Sequence, residues 1–260
     1  MTEPTPALTA AERRAFTIEI AVVLAVTFGL SAVSAILQLT DFVLRGLADQ
    51  SVALNPRRSY FSLIDLGLNL TSVARLVAWG ALAVYLLWRS GFTLDRIGIG
   101  RFRLRADLLG GLGLAALIGV PGLGLYVLAR ALGFSAEVVP TELSDHWWRI
   151  PVLVAAAFAN GWAEEVIVVG YLLRRFDQLG ISAVQGVILS SLLRGAYHLY
   201  QGFGAGVGNL VMGLVFGYVY RRWGRLWPLV IAHGIIDTVA FVGYALLAQH
   251  LGWLSPERVN

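Results

Sequence analysis

Residues 163–171 read AEEVIVVGY, two adjacent carboxylates, Glu164 and Glu165, set in a run of alanine, valine, isoleucine, glycine and tyrosine. An unpaired charge in an apolar interior is costly, so such a pair needs partners or a task. Which interior surrounds it follows from composition. Of the 260 residues, 57% are hydrophobic and 14% charged, against roughly 25% charged in a soluble domain. The mean hydropathy is +0.71. The run therefore belongs to a membrane-embedded helix, and the expected fold is an all-α, polytopic transmembrane helix bundle.

Each pass needs ~20 apolar residues, and outward from the pair such runs fall at about 20–39, 66–88, 108–132, 151–173, 183–200, 207–220 and 227–247. That is about seven passes, with six to eight compatible with the pattern, and the sixth is noticeably short. The polar start, residues 1–14, is expected to be a disordered tail. Residues 15–149 hold helices one to three with their loops, and residues 150–250 hold helices four to seven, all in one membrane domain. The Gly-rich stretch YQGFGAGVG, residues 200–208, reads as a tight turn or a re-entrant bend.

The chain has no cysteine, which excludes disulfides, thiol catalysis and cysteine-bound metals. Its net charge of +4 comes from 20 arginines, with no lysine, against 16 acids. The arginines sit in short loops, which suits orientation in a membrane and argues against nucleic acid as a partner. With the N-terminus inside, twelve arginines fall in inner segments (13, 14, 89, 96, 101, 103, 105, 174, 175, 221, 222 and 225) and five in outer ones (45, 57, 58, 149 and 258). The expectation is a multi-pass cell-membrane protein with a cytoplasmic N-terminus, its partners being membrane lipid and a peptide or protein substrate.

Few ionisable groups remain inside the spans: Arg75, Glu164, Glu165, Arg194, His198, His233 and Asp237, with Arg130 near an end. Intramembrane charges either lock helices together or mark a function. Arg75, standing alone, reads as structural, whereas the clustered carboxylates and imidazoles of the C-terminal half read as a site. In a hairpin turning near Gly180, Glu164 lies 16 residues before the turn and His198 lies 18 after it, so their depths agree to about half a turn. Arg194 and His198 are four apart, as are His233 and Asp237, so each pair shares a helix face. Glu164 and Glu165 differ by about 100° around their helix, which predicts that one addresses the reaction and the other an arginine or a neighbouring helix.

The stretches EEVIVVGYLL, LLRGAYH and AHGIID resemble the three motifs, EExxxR, FxxxH and HxxxN or HxxxD, of the CAAX protease and bacteriocin-processing family of intramembrane proteases, which includes the Ras-converting CAAX endopeptidase. The resemblance covers about residues 150–245. Two positions depart from it: Val169 stands where the first motif has arginine, and Arg194 where the second has phenylalanine. An arginine is absent from one helix and present on the facing one, so Arg194 is expected to supply the missing charge to Glu165 or Glu164.

The resemblance implies an endopeptidase in which Glu164 with His198 activates water and His233 with residue 237 stabilises the oxyanion. An ionised Asp237 only accepts hydrogen bonds, so it can orient His233 but not stabilise an oxyanion itself. A zinc ion on Glu164, His198, His233 and Asp237 is the rival mechanism, and family members are commonly labelled metalloproteases. The sequence leaves both open. The HExxH, GxSG and GxGD signatures of other protease classes are absent. The alternative function is a catalytically silent immunity or scaffold protein of the same family. A transporter is disfavoured because no inverted repeat is visible.

Overall fold

The computed structural model describes residues 8–243. The end of the seventh expected run and Arg258 of the arginine count lie outside them.

The first helix, α1 (Ala10–Val26), opens on a capping box in which the Thr9 hydroxyl accepts from the Glu12 N–H and the Glu12 carboxylate accepts from the Thr9 N–H. The helix thus starts inside the stretch expected to be disordered. It ends at Thr27, whose backbone leaves the helical region and whose hydroxyl donates to the Val23 carbonyl. Then α2 (Gly29–Leu44) departs at 51°. The first expected pass is therefore a broken span, and the break falls inside an apolar run where a hydropathy average does not register it.

Two long helices follow, α3 (Ser62–Arg89) and α5 (Leu104–Ala131), separated by a single turn, α4 (Leu94–Ile97). The two long helices have 28 residues each, about 42 Å at ~1.5 Å per residue, enough to cross a bilayer. Only 17% of their apolar windows is buried, so they form the lipid-facing wall. The connection before α3 and the one after α5 are joined by a parallel two-stranded sheet, β1 (Ser51–Ala53) on β2 (Glu137–Val139), in register Val52 to Val138. This ribbon, with an isolated antiparallel bridge between Ser135 and Gly202, is the departure from an all-helical plan among the described residues.

The central element runs continuously through Arg149–Gln178. It begins as α6 (Arg149–Glu164), loosens into a π-helical segment over Glu165–Tyr171, and ends as α7 (Leu172–Gln178). Of its apolar window 67% is buried inside the protein. Every residue of the π-helical segment is buried. The run AEEVIVVGY is thus enclosed by other helices and hidden from lipid.

Around it pack α8 (Ala183–Tyr197), α9 (Phe203–Trp223) and α10 (Trp227–Thr238), the last continuing as a π-helical turn over Val239–Gly243. The fifth pass is the short one, at 15 residues, and the sixth reaches 21, the reverse of the expected order. The Gly-rich run bends only at Gly202, where φ is +109°. A side chain there would also strike the Ser135 backbone, with its Cβ 2.6 Å from Ser135 Cα. From Phe203 onward the chain is helical. Among the described residues four helices are long and apolar enough to cross a membrane, or five with the α1–α2 pair taken as one span.

Ion pairs tie these helices together near one end. Buried Arg175 on α7 donates to Glu19 of α1 at 2.8 Å, to the Leu86 carbonyl at 3.1 Å and to Ser90 at 3.0 Å. Sequence reading places Arg175 in a loop, but it is a helix-locking residue.

Candidate active site

Six ionisable side chains lie on α6, α8 and α10 or just past their ends. Glu164 closes α6 and Glu165 opens the π-helical segment, Arg194 sits on the last turn of α8 with His198 just past its end, and α10 carries His233 and Asp237. The approach of α10 to α6 is set by two glycines. A Cβ on Gly161 would lie 3.0 Å from the Gly234 nitrogen and 3.1 Å from both the Val230 oxygen and the His233 Cβ, and one on Gly234 would enter the Phe158 ring at 2.5 Å. With hydrogens at both positions the helices touch backbone to backbone, and His233 reaches the carboxylates of the central helix.

Arg194 and Glu165 form a fully buried pair, Nη2 to Oε1 at 2.7 Å. The second guanidinium nitrogen, Nη1, stands 3.9 Å from Glu164 Oε2. Both carboxylates therefore reach one arginine, although their other neighbours differ. Glu165 Oε1 also contacts His233 Nδ1 at 2.6 Å. Glu164 Oε2 accepts from the Tyr197 hydroxyl at 2.6 Å, and Glu164 Oε1 accepts from Asn160 Nδ2 at 3.1 Å. The same Asn160 nitrogen donates to Asp237 Oδ2 at 2.9 Å. An amide NH2 carries two hydrogens, so Asn160 links the two carboxylates across α6 and α10.

The pairing differs from the one expected. His233 makes its close contact with Glu165, while Asp237 Oδ2 is 3.6 Å from His233 Nε2 and is held by Asn160. His198 bonds neither glutamate: its Nδ1 is 3.0 Å from the Arg194 carbonyl. A carbonyl only accepts, so Nδ1 carries the ring proton and Nε2 presents a lone pair in the neutral imidazole. The ring lies between Tyr197, at a centroid distance of 4.7 Å, and Tyr200, at 6.5 Å.

Asn160 and Tyr197 lie outside the sequence-based set because neither carries a charge. Asn160 is a polar residue one turn before Glu164 in an Ala-rich helix, and Tyr197 adjoins His198; both positions are visible in the sequence once neutral donors are sought. Val169, in the place of the first-motif arginine, is buried in the π-helical segment.

The expected zinc set is not assembled. Among the described residues no three His, Asp or Glu side chains form a metal-binding group. Both Glu164 oxygens, Glu165 Oε1 and Asp237 Oδ2 already accept hydrogen bonds, and a guanidinium stands against both glutamates. This arrangement does not fit a divalent cation. What it offers chemically is carboxylate oxygens, an imidazole lone pair and buried cationic donors within one cluster. Arg194 Nε and Nη1, together with Glu165 Oε2, have no hydrogen-bond partner among the described residues.

No curated protein and no solved structure matches the chain. Residues 146–239 match the family described as type II CAAX prenyl endopeptidase Rce1-like. The matched stretch runs from just before α6 to just past α10, so it contains Asn160, both glutamates, Arg194, Tyr197, both histidines and Asp237. The helices that build the site are thus similar in sequence to the CAAX protease family over residues 146–239.

Proposed function

We propose that the protein is an intramembrane endopeptidase that hydrolyses a peptide bond with water activated by Glu164 and His198. The observation that carries this reading is a carboxylate, Glu164, held at both oxygens inside a membrane helix bundle beside a second carboxylate, an arginine and two histidines. Such a group, fixed and partly desolvated, suits a general base. Water bonded to Glu164 and to the His198 Nε2 lone pair gives up a proton as its oxygen attacks the carbonyl carbon. The carbonyl oxygen gains negative charge, which the unpartnered Arg194 Nη1 and, in the imidazolium form, the Nε2–H of His233 are suited to meet. The abstracted proton passes to the departing nitrogen, the C–N bond breaks, and a carboxylic acid and an amine leave.

Glu165 in this scheme is a positioning residue that neutralises Arg194 and orients His233. Asp237 and Asn160 hold the α10 side of the site. The substrate is a peptide reached from the membrane, and the arginine distribution supports a cytoplasmic N-terminus. Val169 in the place of the family arginine favours a second reading, a catalytically silent binding protein. The two part on Glu164→Gln in the purified full chain, assayed in liposomes against a pool of quenched-fluorescence peptides. An enzyme loses turnover and keeps its fold, whereas absence of turnover in the wild-type chain itself would discard the protease reading.

A further inference from the structure

Arg75 lies at the middle of α3, about 20 Å of helix from either end at ~1.5 Å per residue. That is the depth at which an arginine is hardest to accommodate in a bilayer, and such residues persist where they line a path for water or ligand. Its guanidinium stands 5.7 Å from the centroid of the Trp79 ring, one turn along the same helix. Among the described residues no carboxylate pairs with it and no acceptor takes its hydrogens.

The surface that Arg75 faces is a cleft of about 460 Å³ between α2, α3 and the turn that follows α8. The α2 wall carries Ser31, Ser34 and Gln38, a polar stripe at helical spacing. These side chains are exposed, and no acidic residue lines the cleft. The opposite wall is Tyr197 and Tyr200, which flank His198. Tyr197 thus faces the cleft on one side and gives its hydroxyl hydrogen to Glu164, at 2.6 Å, on the other. The cleft and the candidate active site share this residue as a common wall.

A cationic donor at bilayer depth, a row of neutral hydrogen-bonding groups and no anion describe a receptor for a negatively charged, extended segment. A phosphate headgroup belongs at the bilayer surface, far from the centre of α3, whereas a peptide seated for cleavage at Glu164 would pass through this cleft. We propose that the cleft binds the substrate peptide and that Arg75 holds a carboxylate of it, making Arg75 a specificity-determining residue for peptides that carry an acidic end or side chain beside the bond to be cut. This rests on reading the Glu164 cluster as the place of cleavage. A bidentate guanidinium–carboxylate pair away from bulk water is strong and directional, so the preference is readable in binding alone.

The test separates recognition from turnover. The full chain carrying Glu164→Gln, which binds without cutting, is placed in phosphatidylcholine vesicles and titrated with fluorescent pools of short apolar peptides. One pair of pools differs only in a free C-terminal acid or its amide; a second pair, amide-capped, differs only in Glu or Gln within the chain. The acidic member of at least one pair is expected to bind about tenfold more tightly. Arg75→Gln should erase that preference, and Arg75→Lys should keep part of it. Which pair responds identifies the carboxylate as terminal or internal. Equal binding of acidic and neutral peptides by the Arg75 protein, or an unchanged preference in Arg75→Gln, overturns the proposal. So does loss of the preference when the vesicles contain phosphatidylglycerol, which would make Arg75 a lipid-phosphate site. A preference that depends on Arg75 in a wild-type chain that cuts nothing would uphold carboxylate recognition and sink the protease reading. Cleavage indifferent to peptide charge would do the opposite.

Discussion

The Tyr197 hydroxyl donates to Oε2 of Glu164 across 2.6 Å, joining the end of α8 to the end of α6. Its ring stacks on Phe28 at 4.9 Å, so one side chain fixes the angle of the carboxylate and ties it to the break between α1 and α2. Tyr197→Phe keeps the stacking and removes the donor. A hydrogen bond to an ionised group is worth about 1.5–3 kcal/mol, and turnover is expected to fall about 10- to 100-fold with the fold retained. An unchanged kcat in liposomes would show that the hydroxyl has no part in the reaction.

Asn160 should tolerate little. Asn160→Leu leaves Glu164 Oε1 and Asp237 Oδ2 without their shared donor, and each buried acceptor left unmade costs about 1–3 kcal/mol. Asn160→Asp is expected to be worse, because it replaces the donor with a fourth carboxylate in the cluster. Thermal unfolding in detergent, followed by turnover, would rank wild type above Leu above Asp. An Asp variant as stable as the wild type would break the proposed link between α6 and α10.

Removing Arg194 strips the buried cation from two carboxylates. Breaking a buried pair from one side costs about 3–5 kcal/mol, so Arg194→Phe should lower both stability and activity. The double variant Arg194→Phe with Val169→Arg returns the pattern of the family motifs and is expected to recover part of the activity. Recovery of stability without activity would restrict the arginine to holding helices together.

Gly161→Ala tests the approach of α10. The added Cβ meets backbone atoms at 3.0 and 3.1 Å, and backbone cannot swing aside as a side chain does. A cost of about 1–3 kcal/mol is expected for such overpacking, with a fall in turnover as His233 shifts from Glu165. Gly161→Ala at full activity would mean that the contact between the two helices has slack.

Arg222 is exposed at the end of α9 and lies in the arginine-rich inner set. Because the chain has no cysteine, Arg222→Cys gives a single reporter. It should react with an impermeant maleimide only from the cytoplasmic face. Labelling from outside in intact cells would invert the topology.

The bundle itself is readable from hydropathy, since a chain so poor in charge has few other ways to satisfy its backbone than helices in lipid. That Glu165 and Arg194 occupy similar depth follows from their distances to Gly180 along two adjoining helices. Partner choice is not readable in the same way. Whether His233 meets Asp237 on its own helix or Glu165 on another depends on how closely α10 approaches α6, and that distance is set by Gly161 and Gly234, which carry no charge and little hydropathic signal. The break at Thr27 and the pairing of residues 51–53 with 137–139 depend on local dihedrals and on contacts distant in sequence, which averaging over a window removes.

The π-helical segment over Glu165–Tyr171 holds two registers together. A turn of this kind accommodates one residue more than an α-helical turn. Upstream of it, α6 points Asn160 and Glu164 at the candidate active site; downstream, α7 points Arg175 into its socket against Glu19, Ser90 and the Leu86 carbonyl. Were the segment to close into regular α-helical hydrogen bonding at its present length, everything beyond it would rotate by about 100°. One end of the central helix could then be seated only by unseating the other. Deleting one residue between Val166 and Gly170 lets the segment close without that rotation, so it should be tolerated better than a single-residue deletion at any other point of the central helix.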